Sequence, residues 1–294
     1  MYRAVRFSEN PIIHAGLSDD IGTNINGPSL IRVPEWVPNP LGRYYLYFAH
    51  HQGAFIRMAY ADDLHGPWHV VHGGTLALQD TPCEQHIASP DVHVRDEDRE
   101  FRMYYHGCTA DGQRSFLATS PDGLRFRAVS QALGPFYFRV FRHEDDWFAI
   151  AKRVNAPGGG VLLRSADGVS PFEEGPEILP NQRHVAIRKR NRQLEIFFSR
   201  GEDCPERILL STLPLAGNWR RWRPSSPVDV LRPETRYEGA HLPLRPSRFG
   251  AIHEPAHELR DPAIYTEDGR CWLLYTGSGE SNICAAELVE SDDL

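Results

Sequence analysis

Residues 28–68 read PSLIRVPEWVPNPLGRYYLYFAHHQGAFIRMAYADDLHGPW, and residues 89–126 read SPDVHVRDEDREFRMYYHGCTADGQRSFLATSPDGLRF. Both stretches carry three short segments rich in Val, Ile, Tyr and Phe, in the same order, and both end on an aromatic after a polar turn. This is strand and hairpin grammar, and neither stretch holds an apolar stripe at helical spacing. The phrase recurs from Gly134 (GPFYFRVFR, WFAIAKR, GVLLRSADGVSPFE) and from His184 (HVAIRKR, LEIFFSRGE, RILLSTLPLAGNWRRW). In the latter copy Trp219 and Trp222 replace the single closing aromatic. It recurs once more from Leu259 (LRDPAIYTEDGR, CWLLYTGSGES, ICAAELV). Three or four antiparallel strands per copy, repeated five times, predict an all-β chain folded as a five-bladed β-propeller. The last copy lacks an outer strand, which the N-terminal RAVRFSENPII is expected to supply, closing residues 1–294 into a single domain. A β-sandwich, the competing arrangement, gives no reason for a first-strand signature to recur five times.

Composition narrows the function. The chain has 41% hydrophobic and 24% charged residues, as a globular protein does. It lacks the roughly 20-residue apolar run of a membrane helix, and its first residues do not read as a signal peptide, so a cytoplasmic protein is expected. A net charge of -7 argues against a nucleic-acid partner. Only Lys152 and Lys189 interrupt an otherwise all-Arg basic set, and five cysteines without a C-x-x-C pair fit a reducing compartment.

In a propeller the starts of the innermost strands crowd one mouth of the central channel. Here the starts are Asn24-Ile-Asn26-Gly-Pro, Ser89-Pro-Asp91, Gly134-Pro-Phe-Tyr137, Arg183-His184 and Arg260-Asp261-Pro. An Asp beside an apolar strand must be solvated, paired or functional, so Asp91 and Asp261 are expected at the site. The ends of the second strands add His50 and His51, His106, Lys152, Arg200, Ser278 and Glu280 to the same rim, with Glu84 and His86 just before the second inner strand. The long insertion before the fifth copy, LRPETRYEGAHLPLRPSRFGAIHEPAHE, is expected to fold over the pocket, bringing Glu238 as a third carboxylate. His241, His253, His257 and Glu258 lie in the same loop, but the Pro inside HEPAH excludes a zinc-binding helix.

The segments NGPSLIRV, RYYLYFAHH, SPDVHV, FRMYYHG and LRDPAIYTEDGRCWLLYTGSGE resemble the five-bladed propeller glycoside hydrolases of family 43 and its relatives, families 32, 62, 117 and 130. The family 43 resemblance implies a general-base Asp on the first inner strand, a pKa-tuning Asp on the second and a general-acid Glu on the third. Asp91 matches the second. The first strand offers Asn24 and Asn26 instead, and the third offers Tyr137. Three readings remain open. In one, Asp91, Glu238 and Asp261 are the catalytic carboxylates of a glycoside hydrolase, with Asn26, His50, His51, His86, Tyr137, Lys152, His184, Arg200, Arg260 and Glu280 binding the carbohydrate. The likeness to family 117 adds His50, His51 and His241 as possible acids. In another, the protein is a lyase on uronic-acid sugars that uses His and Tyr, with Lys152, Arg153, Arg200 and Arg260 neutralising the substrate carboxylate. In the last, it is a non-catalytic carbohydrate-binding propeller. No cofactor or metal is required, although a structural cation in the channel, as in some relatives, is compatible with the fold. The oligomeric state is open.

Overall fold

A computed structural model describes residues 2–51, 53–153 and 158–290. Five antiparallel sheets follow one another along the chain, each built from neighbouring strands in sequence order. The first blade holds Asn26–Arg32, Tyr44–Ala49, Phe55–Ala61 and His69–Val70, and the second Ile87–Arg95, Glu100–Thr109, Gly112–Ser120 and Arg127–Ala128. The third holds Arg139–His143, Asp146–Lys152, Gly160–Ser165 and Glu173–Ile178, and the fourth Gln182–Arg190, Gln193–Arg200, Ile208–Pro214 and Val228–Leu231. The fifth combines Arg260–Glu267, Arg270–Gly277 and Asn282–Glu290 with the N-terminal Tyr2–Arg6, which pairs antiparallel with Asn282–Glu290 from Tyr2 opposite Glu290 to Arg6 opposite Ala286. The ring is thus closed by the strand that the sequence assigns to this task.

Burial explains the strand grammar. Each pair of adjacent blades encloses its own apolar layer, such as Ile31, Tyr45, Met58, Val92, Met103 and Phe116 between the first and second. Trp219 and Trp222 fill the layer between the third and fourth, with Trp222 5.0 Å from the ring of Phe148. The S-x-D-G turns are tied across blades. The Tyr47 hydroxyl donates to the Gly123 carbonyl at 2.8 Å, and Tyr104 to Gly168 at 2.9 Å, so each turn is gripped by the preceding blade.

One backbone irregularity positions the site. Four of the five inner strands break register near their start, between Asn26 and Ser29, Ala88 and Asp91, Gln182 and Val185, and Arg260 and Ala263. At three of these breaks the backbone is left-handed: Gly27 has φ 59°, Ser89 φ 50° and Asp261 φ 45°. Tyr137, just before the third inner strand, has φ 66°. Bulges re-aim side chains, and left-handed non-glycine residues cost about 1–3 kcal/mol each, a strain that recurs at functional sites.

Candidate active site

The four bulges, with the left-handed turn at Tyr137 in the third blade, gather polar residues of all five blades at the mouth where the inner strands begin. Asp261 is buried, and its Oδ1 lies 2.6 Å from Nδ1 of His184, also buried. Burial works to raise the Asp261 carboxyl, but His184, with His51 and Arg260 nearby, holds it below the usual carboxylate range. Burial pulls His184 down to about 4, leaving the imidazole neutral at pH 7. Tyr137 lies between two histidine rings, 4.4 Å from His106 and 4.7 Å from His184. His86 adds a further ring, 5.8 Å from His106. Beside them Glu280 is enclosed by donors: its Oε2 is 2.6 Å from Nδ1 of His51 and 3.3 Å from Nδ2 of Asn26, and its Oε1 accepts from Arg260 at 3.1 Å.

Buried polar atoms are ordinarily hydrogen-bonded, so a concentration of unpaired ones marks a place prepared for a ligand or ordered water. Among the described residues, His106 Nδ1, both amide atoms of Gln182, Arg183 Nη2, His184 Nδ1 and Asp261 Oδ2 are buried without a hydrogen-bond partner. The close Asp261–His184 contact is therefore poorly aligned, and one oxygen of a buried, ionised carboxylate is uncommitted. The insertion runs alongside, forming a cleft of about 790 Å³ lined by Arg245, Arg248, His253, Glu254, Glu258 and Arg260.

Two expected carboxylates do not join this cluster. Asp91 lies two residues beyond the bulge at Ser89 and faces the channel below the mouth, in a cavity of about 180 Å³ with Ser29, His93 and Arg139. Its Oδ2 accepts from the Val140 amide at 2.8 Å and contacts Nε2 of His93 at 3.0 Å. Ser29 does the same one blade earlier, accepting from the Val92 amide at 2.9 Å. Asp91 is thus a tie between inner strands. Glu238 is fully buried behind the fifth blade, where Arg6 donates to it at 2.7 and 3.1 Å, Tyr275 at 2.7 Å, and the Glu234 and Thr235 amides at 2.8 and 3.0 Å. With both oxygens filled, it has no capacity to contact substrate.

Other expected contacts are also redirected. His50 packs beside Gly53 and Phe55, away from the Asp261 cluster, and burial lowers it to about 4. Arg200 turns to Asp203 at 3.3 Å, and Arg153 to Glu177 at 2.8 Å. His241 and Glu84 are exposed, His253 is exposed on the cleft with its ring 6.3 Å from that of His51, and His257 lies within 3.4 Å of the Leu242 and Pro233 carbonyls. Asn26, His51, His86, Tyr137, Lys152, His184, Arg260 and Glu280 are at the mouth. Glu206 and Phe249 belong there too, although no sequence pattern singles them out. Glu206 Oε1 meets Arg183 Nε at 2.9 Å, and the Phe249 ring lies 5.4 Å from the Arg183 guanidinium. Gly158 and Gly201 make room for Phe249, since a Cβ at either would collide with its ring. No group of three or more His, Cys, Asp or Glu among the described residues is arranged to hold a metal ion.

The chain is 35% identical to the uncharacterized protein R118 of Acanthamoeba polyphaga mimivirus, across 97% of this chain and 90% of the viral one. It belongs to the same family as R118. No family model matches the sequence. Solved structures that share the fold include CoXyl43, a family 43 β-xylosidase/α-arabinofuranosidase from a compost microbial metagenome (TM-score 0.65, 13% identity, 100% of this chain and 97% of that one). Another is a family 43 enzyme of Xanthomonas citri complexed with xylotriose (TM-score 0.64, 14% identity, 92% and 89%). A third, from family 130, is described with hydrolases that target β-1,2 mannosidic linkages in Candida mannan (TM-score 0.68, 10% identity, 99% and 95%). The chain therefore shares the five-bladed propeller fold of these glycoside hydrolases.

Proposed function

We propose that this R118-family protein is a glycoside hydrolase acting at the mouth where the inner strands begin. The observation that carries this reading is Asp261, a buried carboxylate kept ionised, with Oδ2 unpartnered among buried polar groups. An ionised carboxylate with a free oxygen is what a general base needs to take a proton from the attacking water. The matching acid in this reading is His51. Glu280 occupies its Nδ1, as a carboxylate does when it orients a catalytic imidazole, and the side chain is part-exposed. His51 passes a proton to the departing glycosidic oxygen as Asp261 receives one from water, so one water is consumed per bond cleaved. The fold shared with glycosidases supports the reaction class.

The test is release of reducing ends or aryl leaving groups from a panel of oligosaccharides and aryl glycosides. Asp261→Asn and His51→Gln are expected to lower kcat/KM by about 10²–10⁴ without changing the circular dichroism spectrum. Wild-type turnover in both variants refutes the assignment. One observation favours a second reading: Tyr137 held between His106 and His184 is also an acid–base set for β-elimination. An unsaturated, ultraviolet-absorbing product would identify that lyase.

A further inference from the structure

Most cations at the mouth are already neutralised. Arg260 donates to Glu258 at 2.8 Å and Glu280 at 3.1 Å and lies 3.5 Å from Glu206. Lys152 and Arg183 differ. Arg183 is 1% exposed; its Nε pairs with Glu206 and its Nη1 donates to the Gly250 carbonyl at 3.0 Å, but its Nη2 has no partner among the described residues. Lys152 is 7% exposed and has no carboxylate within ion-pair distance among the described residues. Its ammonium rests on aromatic faces, 5.5 Å from the centroids of Phe136 and Phe249 and 5.7 Å from that of Tyr137. Phe249 also faces the Arg183 guanidinium, so one ring of the insertion loop walls both cations. Buried cations are normally paired, and this pair has donors to spare.

We infer that Lys152 and Arg183 form a subsite for a singly charged oxyanion carried by the sugar, with a uronic-acid carboxylate as the occupant. The inference rests on the reading that this mouth binds carbohydrate, and it holds whether the bond is hydrolysed or eliminated. Charge fixes the valence of the ligand. Glu206 pairs with Arg183, no carboxylate pairs with Lys152 among the described residues, and Asp261 nearby would repel a dianionic phosphate ester more strongly than a monoanion. The groups acting on the Lys152 ammonium are Arg183, Arg260, Glu206 and Asp261; with burial as the largest influence, they leave its pKa at about 8. The subsite is therefore charged at neutral pH and fades as pH rises through that value.

Calorimetric titration of the full chain with D-glucuronate and D-galacturonate against D-glucose and D-galactose tests this. Sugar O-sulfates form a third arm that separates carboxylate from sulfate recognition. A uronate is expected to bind about 10- to 100-fold more tightly than its neutral counterpart at pH 7, the scale of a charge-assisted pair. The preference should shrink above pH 8, collapse to within about threefold in Lys152→Met and persist in Lys152→Arg. Equal affinity for neutral and acidic sugars, an undiminished preference in Lys152→Met, or a preference for the sulfates over the uronates overturns the proposal. Neutral glycosides cleaved without a uronate preference would sink this inference and leave the hydrolase standing. Uronates bound selectively but never cleaved would do the reverse.

Discussion

Replacing Lys152 with Met is expected to stabilise the folded protein while weakening its site. Burial is the main cause of the fall of its pKa from 10.5 to about 8. At about 1.36 kcal/mol per unit, holding the ammonium charged in this position costs the folded state on the order of 3 kcal/mol. The contacts with Phe136, Tyr137 and Phe249 return part of this, at about 0.5–2 kcal/mol for a desolvated cation over aromatic rings. Met keeps the length and apolar stem without the charge, so a net gain of about 1–2 kcal/mol at pH 7 is expected. The pH dependence carries a definite sign. Between pH 8 and 10.5 the unfolded chain holds the Lys152 proton and the folded chain has released it, so wild-type stability rises with pH across that window. The advantage of Lys152→Met is therefore full below pH 8 and disappears above 10.5. Urea unfolding of both proteins at pH 7 and near pH 10 measures it. A variant less stable than wild type at pH 7, or an advantage that grows with pH, refutes the claim that Lys152 is a buried, uncompensated cation.

Two further substitutions separate structure from chemistry. Glu238→Gln should destabilise by about 3 kcal/mol, at the lower end for a broken buried pair because Arg6 is part-exposed and keeps Glu234. Arg6 and the surrounding donors outweigh burial and keep the Glu238 carboxyl below its ordinary value, so its contribution is present at neutral pH and lost as pH falls below about 4. Paired urea melts at pH 7 and pH 3 should thus show the gap to Glu238→Gln closing; a constant gap contradicts the assignment. Asp91→Asn keeps an oxygen for the Val140 amide, so kcat/KM should stay within about threefold of wild type, against a loss of 10² or more for a catalytic carboxylate.

The blades were legible because each strand must bury apolar side chains against the next blade, which fixes segment length, the turns and the closing aromatic in every copy. The site was legible only in part. Asp91 and Asp261 look alike beside their prolines, but aligning Gly27-Pro28, Ser89-Pro90 and Asp261-Pro262 makes Ser89, not Asp91, the counterpart of Asp261. The left-handed backbone at all three residues is the physical form of that alignment. Glu238 carried a warning as well: Thr235-x-x-Glu238 is a capping-box pattern, in which the Glu reaches back to the Thr amide, as it does here at 3.0 Å. Glu206 and Phe249 could not be read in advance. Their place follows from how two loops meet Arg183, and no local period encodes a meeting of loops.

The two ends of the channel are built from the same repeated hairpins, so their differences isolate what the site requires. At the far end the inner-strand turns bring together Arg188, Lys189, Arg190, Glu267 and Arg270, and a cleft of about 300 Å³ opens among them. A cavity alone therefore does not distinguish the ends. The far-end arginines, however, have carboxylates within ion-pair distance. Arg188 lies 3.5 Å from Glu195, Arg270 meets Glu287 at 2.6 Å, and Glu267 is held by Arg32 at 2.6 Å and Arg43 at 3.3 Å. At the mouth, by contrast, Asp261 Oδ2, His184 Nδ1 and Arg183 Nη2 are buried without a hydrogen-bond partner, and Lys152 has no carboxylate within ion-pair distance among the described residues. A buried polar group without a partner lowers stability, and a polar ligand that supplies the missing partner removes that cost. Hydrophobic packing between blades gives no cause for unpartnered groups at this mouth, whereas the sugar binding proposed for it supplies one.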